Sequence, residues 1–335
     1  MEGNHDHTYP LNHILEKGLR GAEFQVKSLR GGSDSAGVLH VTARLVTGAG
    51  KRRICRFVVK RLPLERAREA DVYRRFVSTL PPHIAPRLLG VEYRAEECRL
   101  YLEEIRPMQT WPWRRVNFAQ AVVEELANLH RAGKAYDPAP DWDYDAELAS
   151  MSSSLLDAVR SNTVRRLVPE IYRAYPALDR LVSALPQIRE QLRDRSSGSR
   201  TFIHGDVHPG NVTIRGRQND PLPVFLDWGR TRPGAPLEDV SSWLQSLGYW
   251  EPRAKAKHDT LLSAYRHACG DTAGLTRDFR DAYWLAAACN QMAGAALHHL
   301  ANIREDAPPG VKTRAIHAAK DCFRVIRRAD ACWKN

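Results

Sequence analysis

The chain has 335 residues, 43% of them hydrophobic, which suits a soluble globular protein with a sizeable core and room for two lobes or domains. From the polar start MEGNHDHTYP and the lack of any run near the ~18 apolar residues of a membrane helix, neither a signal peptide nor an anchor is expected, and the cytoplasm is the expected location. Six cysteines without a C-x-x-C pair exclude a disulfide framework or zinc site and read as buried thiols, while the net charge of +11 favours anions such as nucleotides, with a solvated basic face a better reading than nucleic-acid binding.

Residues 1 to 22 read as an irregular or partly helical lead-in. From Phe24 to Val46, two β-like runs flank the small-residue turn RGGSDSAG, in which Gly31, Gly32 and Ser33 would let backbone amides approach phosphates. An ordinary hairpin turn is the alternative, because the segment lacks the Gly-Lys-Ser/Thr ending of a P-loop. A strand follows over Arg52–Arg61, with Lys60 directly after its strand formers Phe57 to Val59. Next, PLERAREADVYRRF is an amphipathic helix by the spacing of Ala67, Val72, Tyr73 and Phe76. It offers Glu69 as an ion-pair partner for Lys60, with Glu65 as the alternative. Pro81 to Gly90 is a connector, and VEYRAEECRLYLEEI reads as a hairpin around Ala95 to Glu97.

Beyond Pro107 the chain turns helical. Phe118, Val122, Leu126 and Leu129 fall at helical spacing within Val116 to Arg131, and Gly133 stands just past the end. The segment YDPAPDWDYDAEL then gathers four Asp and a Glu among two Tyr and a Trp. It is either an acidic, aromatic wall for a cationic ligand or a solvated loop whose Asp caps the next helix. Residues 145 to 195 read as two or three helices, and SSGS at 196 to 199 is a linker. After Gly229 come a helix that Asp239 begins and three more, Ala254 to Cys269, Arg277 to Asn302 and Lys312 to Trp333.

Thr201 to Gly229 carries the chemistry. His204-Gly-Asp206 followed by Asn211 has the spacing of a phosphotransferase catalytic loop, in which the Asp receives a hydroxyl proton and the Asn holds a metal ion. Asp227-Trp228-Gly229 has the form Asp-aromatic-Gly. Short strands fit Thr201 to Ile203, Val212 to Ile214 and Val224 to Leu226. For either segment alone a tight turn between strands is an adequate explanation, but both together in this order point to catalysis. A zinc pair at His204 and His208 is excluded, since Gly205 and Pro209 spoil the helix it would require.

The combination HGDVHPGN followed by FLDWG resembles the aminoglycoside phosphotransferase and choline kinase branch of the protein-kinase-like superfamily, over about Phe24 to Leu247. The resemblance implies an α+β, two-lobed protein-kinase-like fold, with a small β-rich lobe over residues 1–104, a large mainly helical lobe over 105–335, and a helical insertion at about 140–197. It implies ATP as phosphoryl donor, with GTP as an alternative, Mg²⁺ as the metal, and a small-molecule hydroxyl acceptor as the partner. Asp206 would be the catalytic base, and Asn211 and Asp227 the metal ligands. Lys60 with Glu69 would grip the phosphates beneath Gly31, Gly32 and Ser33, and the backbone of Glu103 and Ile105 would meet the adenine edge. Asp239 would anchor the catalytic loop. No Ala-Pro-Glu follows Gly229, so a peptide acceptor is disfavoured, and the rivals are a pseudokinase or a protein kinase. The expected state is a monomer or weak homodimer without a membrane or nucleic-acid partner. A cationic acceptor would draw Asp141, Asp143, Asp145 or Glu251 together with Trp142, Trp243 or Trp250; a neutral or anionic one would leave arginines or amides in their place.

Overall fold

The computed structural model describes residues 20–29, 36–46, 52–108, 111–134, 142–195, 201–272, 274–304 and 306–334. The turn with Gly31, Gly32 and Ser33, the acids Asp137 and Asp141 and the SSGS linker lie outside them. In chain order the first elements are β1 (Arg20–Leu29), β2 (Gly37–Val46), β3 (Arg52–Pro63), α1 (Arg68–Arg75), β4 (Leu88–Tyr93) and β5 (Glu97–Glu103). Helices follow: α2 (Val116–Gly133), α3 (Tyr144–Arg160), α4 (Asn162–Leu167), α5 (Pro169–Tyr172), α6 (Tyr175–Ser183) and α7 (Leu185–Arg195). Then come β6 (Thr201–Ile203), β7 (Val212–Arg217), β8 (Asp220–Phe225), β9 (Arg232–Gly234) and α8 (Pro236–Trp250). The rest is α9 (His258–Ala268), α10 (Arg277–Asn290), α11 (Ala296–Ala301) and α12 (Pro309–Trp333). The fold is α+β and two-lobed, of the protein-kinase-like kind.

Contacts divide the chain into two compact units, Met1–Pro112 with Gly210–Thr231, and Trp113–Pro209 with Arg232–Asn335. In the first, an antiparallel sheet runs in the order β1-β2-β3-β5-β4. Val41, Ala43, Phe57, Val59 and Tyr101 form an apolar cluster on one face of it. Helix α1 is shorter than its sequence pattern, because Leu64–Arg66 closes into a separate 3₁₀ turn. Its buried side is Glu69, Ala70 and Tyr73, so the face turned inward carries a carboxylate. Strands β7 and β8 pair as a hairpin within the same unit.

The second unit is helical around a two-stranded ladder of β6 with β9. In α2, Phe118, Val122, Leu126 and Leu129 are completely buried, as their spacing requires. Gly133 belongs to the helix rather than following it. A Cβ there would stand 2.6 Å from the Phe202 carbonyl oxygen, so glycine is what lets α2 lie against β6. Residues 277 to 302 are not one helix: a π-helical turn at Gln291–Ala295, with Gly294 at φ 132°, separates α10 from α11. Pro236 opens α8, and Glu238 reaches back to the Ala235 amide at 2.8 Å, so the helix starts ahead of Asp239. Of the six cysteines, Cys98, Cys289 and Cys322 are buried, Cys55 and Cys332 are half-buried, and Cys269 is exposed, which corrects the expectation of uniformly buried thiols. Among the described residues no helix is long and apolar enough to cross a membrane.

Candidate active site

In the first unit three charged side chains meet. Lys60, on β3, places Nζ 2.7 Å from Glu69 Oε2 on α1 and 2.7 Å from Asp227 Oδ1. Glu65 is exposed on the 3₁₀ turn, so Glu69 is the helix's partner for Lys60. Lys60 and Glu69 are 6% and 1% exposed, and ions taken that far from water persist only when paired. Burial works against the Lys60 ammonium, but the charges and hydrogen bonds of Glu69 and Asp227 outweigh it and hold its pKa above the usual 10.5. In Glu69, burial is the largest influence and raises the carboxyl above 4.5 against the pull of Lys60. The second Glu69 oxygen accepts the Trp228 amide at 3.2 Å, tying α1 to the Asp-Trp-Gly segment.

That segment is shaped to present Asp227. Its φ of 61° and ψ of 75° are left-handed, and it is the only non-glycine with positive φ among the described residues. Such a conformation costs on the order of 1 kcal/mol or more and persists where the surroundings enforce it. Here the Trp228 indole is fully buried, edge-on to Phe76 and Phe225, and donates through Nε1 to the Phe225 carbonyl at 3.0 Å. Asn211 immediately precedes β7, and Asp227 is the second residue after β8. The Leu226 amide donates to the Asn211 carbonyl at 2.7 Å, so the hairpin brings Asn211 beside the residue that precedes Asp227. Glu103, at the end of β5, gives its amide to the Arg87 carbonyl at 2.9 Å and pairs its carboxylate with Arg215 at 3.2 Å. The Glu103 amide is therefore engaged within the unit, and Ile105 lies in the extended segment beyond it.

In the second unit β6 delivers His204-Gly205-Asp206. The buried carboxylate of Asp239 accepts the His204 amide through Oδ2 and the Gly205 amide through Oδ1, both at 2.8 Å. His130 of α2 adds a hydrogen bond between its Nε2 and Asp239 Oδ2 at 3.1 Å, and its Nδ1 meets the Tyr265 hydroxyl at 2.9 Å. Burial opposes the Asp239 anion, but the His130 hydrogen bond, the His130 and His204 charges and the Gly205 amide prevail and hold its carboxyl below 3.8. Gly205 takes φ 81°, which glycine adopts without strain. The Asp206 amide donates to His204 Nδ1 at 3.2 Å, while its carboxylate remains 38% exposed, 3.7 Å from His208 Nε2. Past the loop, Trp113 Nε1 donates to the Pro209 carbonyl at 3.3 Å. The backbone on both sides of Asp206 is thus fixed while its side chain keeps part of its surface exposed. The roles of His130 and Tyr265 escape a reading for catalytic motifs. The visible signal is His130 four residues after Leu126 on the buried stripe of α2, a polar group that must find a partner inside.

The sequence profile described as the phosphotransferase enzyme family matches residues 33–277. The chain belongs to that family. No curated protein matches this family member in sequence. Among solved structures, amicoumacin kinase hAmiN in complex with AMP-PNP, Ca²⁺ and Ami aligns at a TM-score of 0.61 with 14% identity, over 90% of this chain and 88% of that one. Aminoglycoside phosphotransferase APH(3'')-Id from Streptomyces rimosus, in complex with ADP and streptomycin, aligns at 0.54 with 14% identity, over 88% and 99%. Choline kinase from Cryptosporidium parvum aligns at 0.54 with 14% identity, over 92% and 91%. At such identities the likeness is one of fold.

In this phosphotransferase-family chain the acidic segment before α3 is not a free acidic wall. Asp143 caps α3 by accepting the Ala146 amide at 3.0 Å. Asp145 is paired with Arg189 at 2.8 Å and Arg193 at 3.4 Å, and Glu147 accepts from Trp142 Nε1 at 2.6 Å. Glu251 is 3.9 Å from Arg114, and Trp243 is fully buried, edge-on to Trp113. Each of these described acids is thus engaged by a helix cap, an arginine or an indole. Instead the buried Arg232 stands 3.6 Å over the Tyr144 ring, bonds Glu238 Oε2 at 2.7 Å and reaches the Gly205 carbonyl at 3.5 Å. Arg189 Nη1 forms an ion pair with the other Glu238 oxygen at 2.9 Å. Burial disfavours the Glu238 anion, but the two arginines reverse the effect and hold it below 4.5.

Proposed function

We propose that the protein transfers the γ-phosphoryl group of ATP, with GTP as an alternative donor, to a hydroxyl of a small molecule. The observation that carries this reading is the Lys60–Glu69–Asp227 cluster, because an ammonium kept charged by two carboxylates is built to hold polyphosphate. Nucleotide binding is assigned to the first unit and acceptor binding to the second. Lys60 takes the α and β phosphates while Glu69 fixes its direction. Among the described residues no three His, Cys, Asp or Glu side chains form a metal cage. One amide and one carboxylate oxygen, from Asn211 and Asp227, suit a hard ion such as Mg²⁺ that keeps water and phosphate oxygens as its other ligands. Magnesium bound there would neutralise charge on the phosphates.

Asp206 orients the acceptor hydroxyl and accepts its proton. As the acceptor oxygen bonds to the γ-phosphorus, the bond to the bridging oxygen breaks and its electron pair leaves with ADP; the proton passes from Asp206 to water. Asp239, His130 and Gly205 do not meet the substrate. They hold the backbone so that Asp206 meets the acceptor at a fixed height, and placement of this kind is a large part of phosphoryl transfer. The test is ADP release with Mg²⁺ across aminoglycosides, macrolides, amino alcohols, sugars and a generic protein. Acceptor-dependent release that Asp206→Asn abolishes supports the reading; release with the protein substrate alone, or none with any acceptor, overturns it.

A further inference from the structure

Side chains alternate across a strand, and residues directly opposed in neighbouring strands share a face. The register of the first unit's sheet sets Val38 against Lys60 and His40 against Val58, with Leu102 on the other side of Val58. His40, Val58 and Leu102 therefore share the Lys60 face, one side-chain row, or ~7 Å, away along the strand. Glu104 follows Leu102 by two and keeps the alternation. Its Oε1 lies 2.6 Å from His40 Nε2, the two side chains being 24% and 20% exposed. The other carboxylate oxygen accepts from Arg106 Nε at 2.9 Å. Burial disfavours the Glu104 anion, but the hydrogen bonds from His40 and Arg106 outweigh it and hold the carboxyl below 4.5. An anionic carboxylate only accepts, so the His40 proton sits on Nε2 and the bond fixes the tilt of the ring.

A nucleotide whose phosphates meet Lys60 extends its base along that face in one of two directions. Towards Leu62, which is 1% exposed, the way is closed by packing. Towards Val58 the row is half-exposed at His40 and Val58 and buried at Leu102, and it holds a planar ring with its orientation already set. We propose that the His40 imidazole, held by Glu104, is the platform on which the purine base stacks, so that this pair gives the protein its preference for a nucleoside polyphosphate over a bare polyphosphate. The inference rests on the proposed function through the role of Lys60. Glu104 acts as a positioning residue, since it meets the base only through His40.

The experiment is calorimetric titration of the full chain with ADP and, separately, with inorganic tripolyphosphate, each with Mg²⁺. His40→Ala is expected to weaken ADP binding roughly tenfold, the scale of one base–aromatic stack, and to leave tripolyphosphate binding unchanged. His40→Phe restores a flat ring without the hydrogen bond and should recover ADP affinity to within about threefold of the wild type. Glu104→Ala, which keeps the ring and frees its tilt, should give a smaller loss confined to ADP. Melting curves without ligand establish that each variant is folded. Unchanged ADP affinity in both alanine variants, equal loss of ADP and tripolyphosphate, or His40→Phe as weak as His40→Ala would each overturn the inference. A wild-type chain that binds neither ligand would overturn the proposed function and this inference with it.

Discussion

Lys60 and Asp206 are held in opposite ways. At Lys60 the functional group itself is locked: its ammonium is 2.7 Å from each of two carboxylates, and the more buried of the two, Glu69, is as buried as a core leucine. At Asp206 the side chain is partly exposed and the grip is on the backbone, through Asp239, His130 and the tight turn at Gly205. Under the proposed function the contrast has a reason: a cation set against several phosphate charges gains from rigid counter-charges, whereas a base that meets an incoming hydroxyl and then releases a proton takes its precision from the chain that carries it.

Substitutions can break this contrast. Asp206→Asn should cut kcat by roughly 10²- to 10⁴-fold and leave ADP affinity nearly unchanged, because only proton acceptance and hydroxyl orientation are lost. A comparable loss of ADP affinity in calorimetry would mean that Asp206 serves the nucleotide as well. Next in size, Glu69→Ala strands a buried ammonium with one partner fewer and should cost about 3 kcal/mol in urea unfolding, together with weaker ADP binding.

Asp239→Asn should cost about 2 kcal/mol, since two amides and a histidine lose their charged acceptor, and should lower kcat more than it changes acceptor KM. Its pH dependence sharpens the comparison. The folded Asp239 pKa is depressed, so its stabilisation is present above the unfolded value near 3.8 and disappears as pH falls through the folded value. The stability gap between wild type and Asp239→Asn should therefore be constant near neutrality and close in acid. Lys60 has a raised pKa, and its contribution, present below 10.5, is lost only at alkaline pH above that value. Smallest of all, Glu65→Ala should change neither stability nor ADP affinity by more than about 0.5 kcal/mol, because the exposed turn keeps Glu65 away from Lys60.

Much of this was legible from spacing. The order of lysine strand, glutamate helix, His-Gly-Asp loop and Asp-Trp-Gly segment located the charged residues, since each belongs to a short local pattern. What local pattern could not decide was left to long-range packing. The choice between Glu65 and Glu69 depends on where α1 begins, and the 3₁₀ turn moves that start by several residues. Helix periodicity marked Ala67, Val72, Tyr73 and Phe76 for burial; Tyr73 and Phe76 are buried, whereas Ala67 and Val72 are only half-buried and Glu69 and Ala70 complete the inward face. The neutralisation of Asp145 was invisible because its arginine partner is 44 positions away on α7, and no motif links the two. Strand β9 is three residues long and contains a proline, too little for a propensity argument.

The discontinuity of the first unit has a meaning for how the chain is made. Asp227 is 167 positions beyond Lys60, so at about 5–20 residues per second a ribosome needs roughly ten to thirty seconds to deliver the third corner of the cluster after the first. During that interval Glu69 alone of the two carboxylates is available to neutralise Lys60. The nascent sheet can therefore form with its buried charge already answered, but the strained aspartate that completes it arrives only after the catalytic loop has emerged. A fragment stopped at Pro112 would carry the lysine without its second counter-ion, and the moment at which the three-membered charge cluster closes is set by translation of the Asp-Trp-Gly segment.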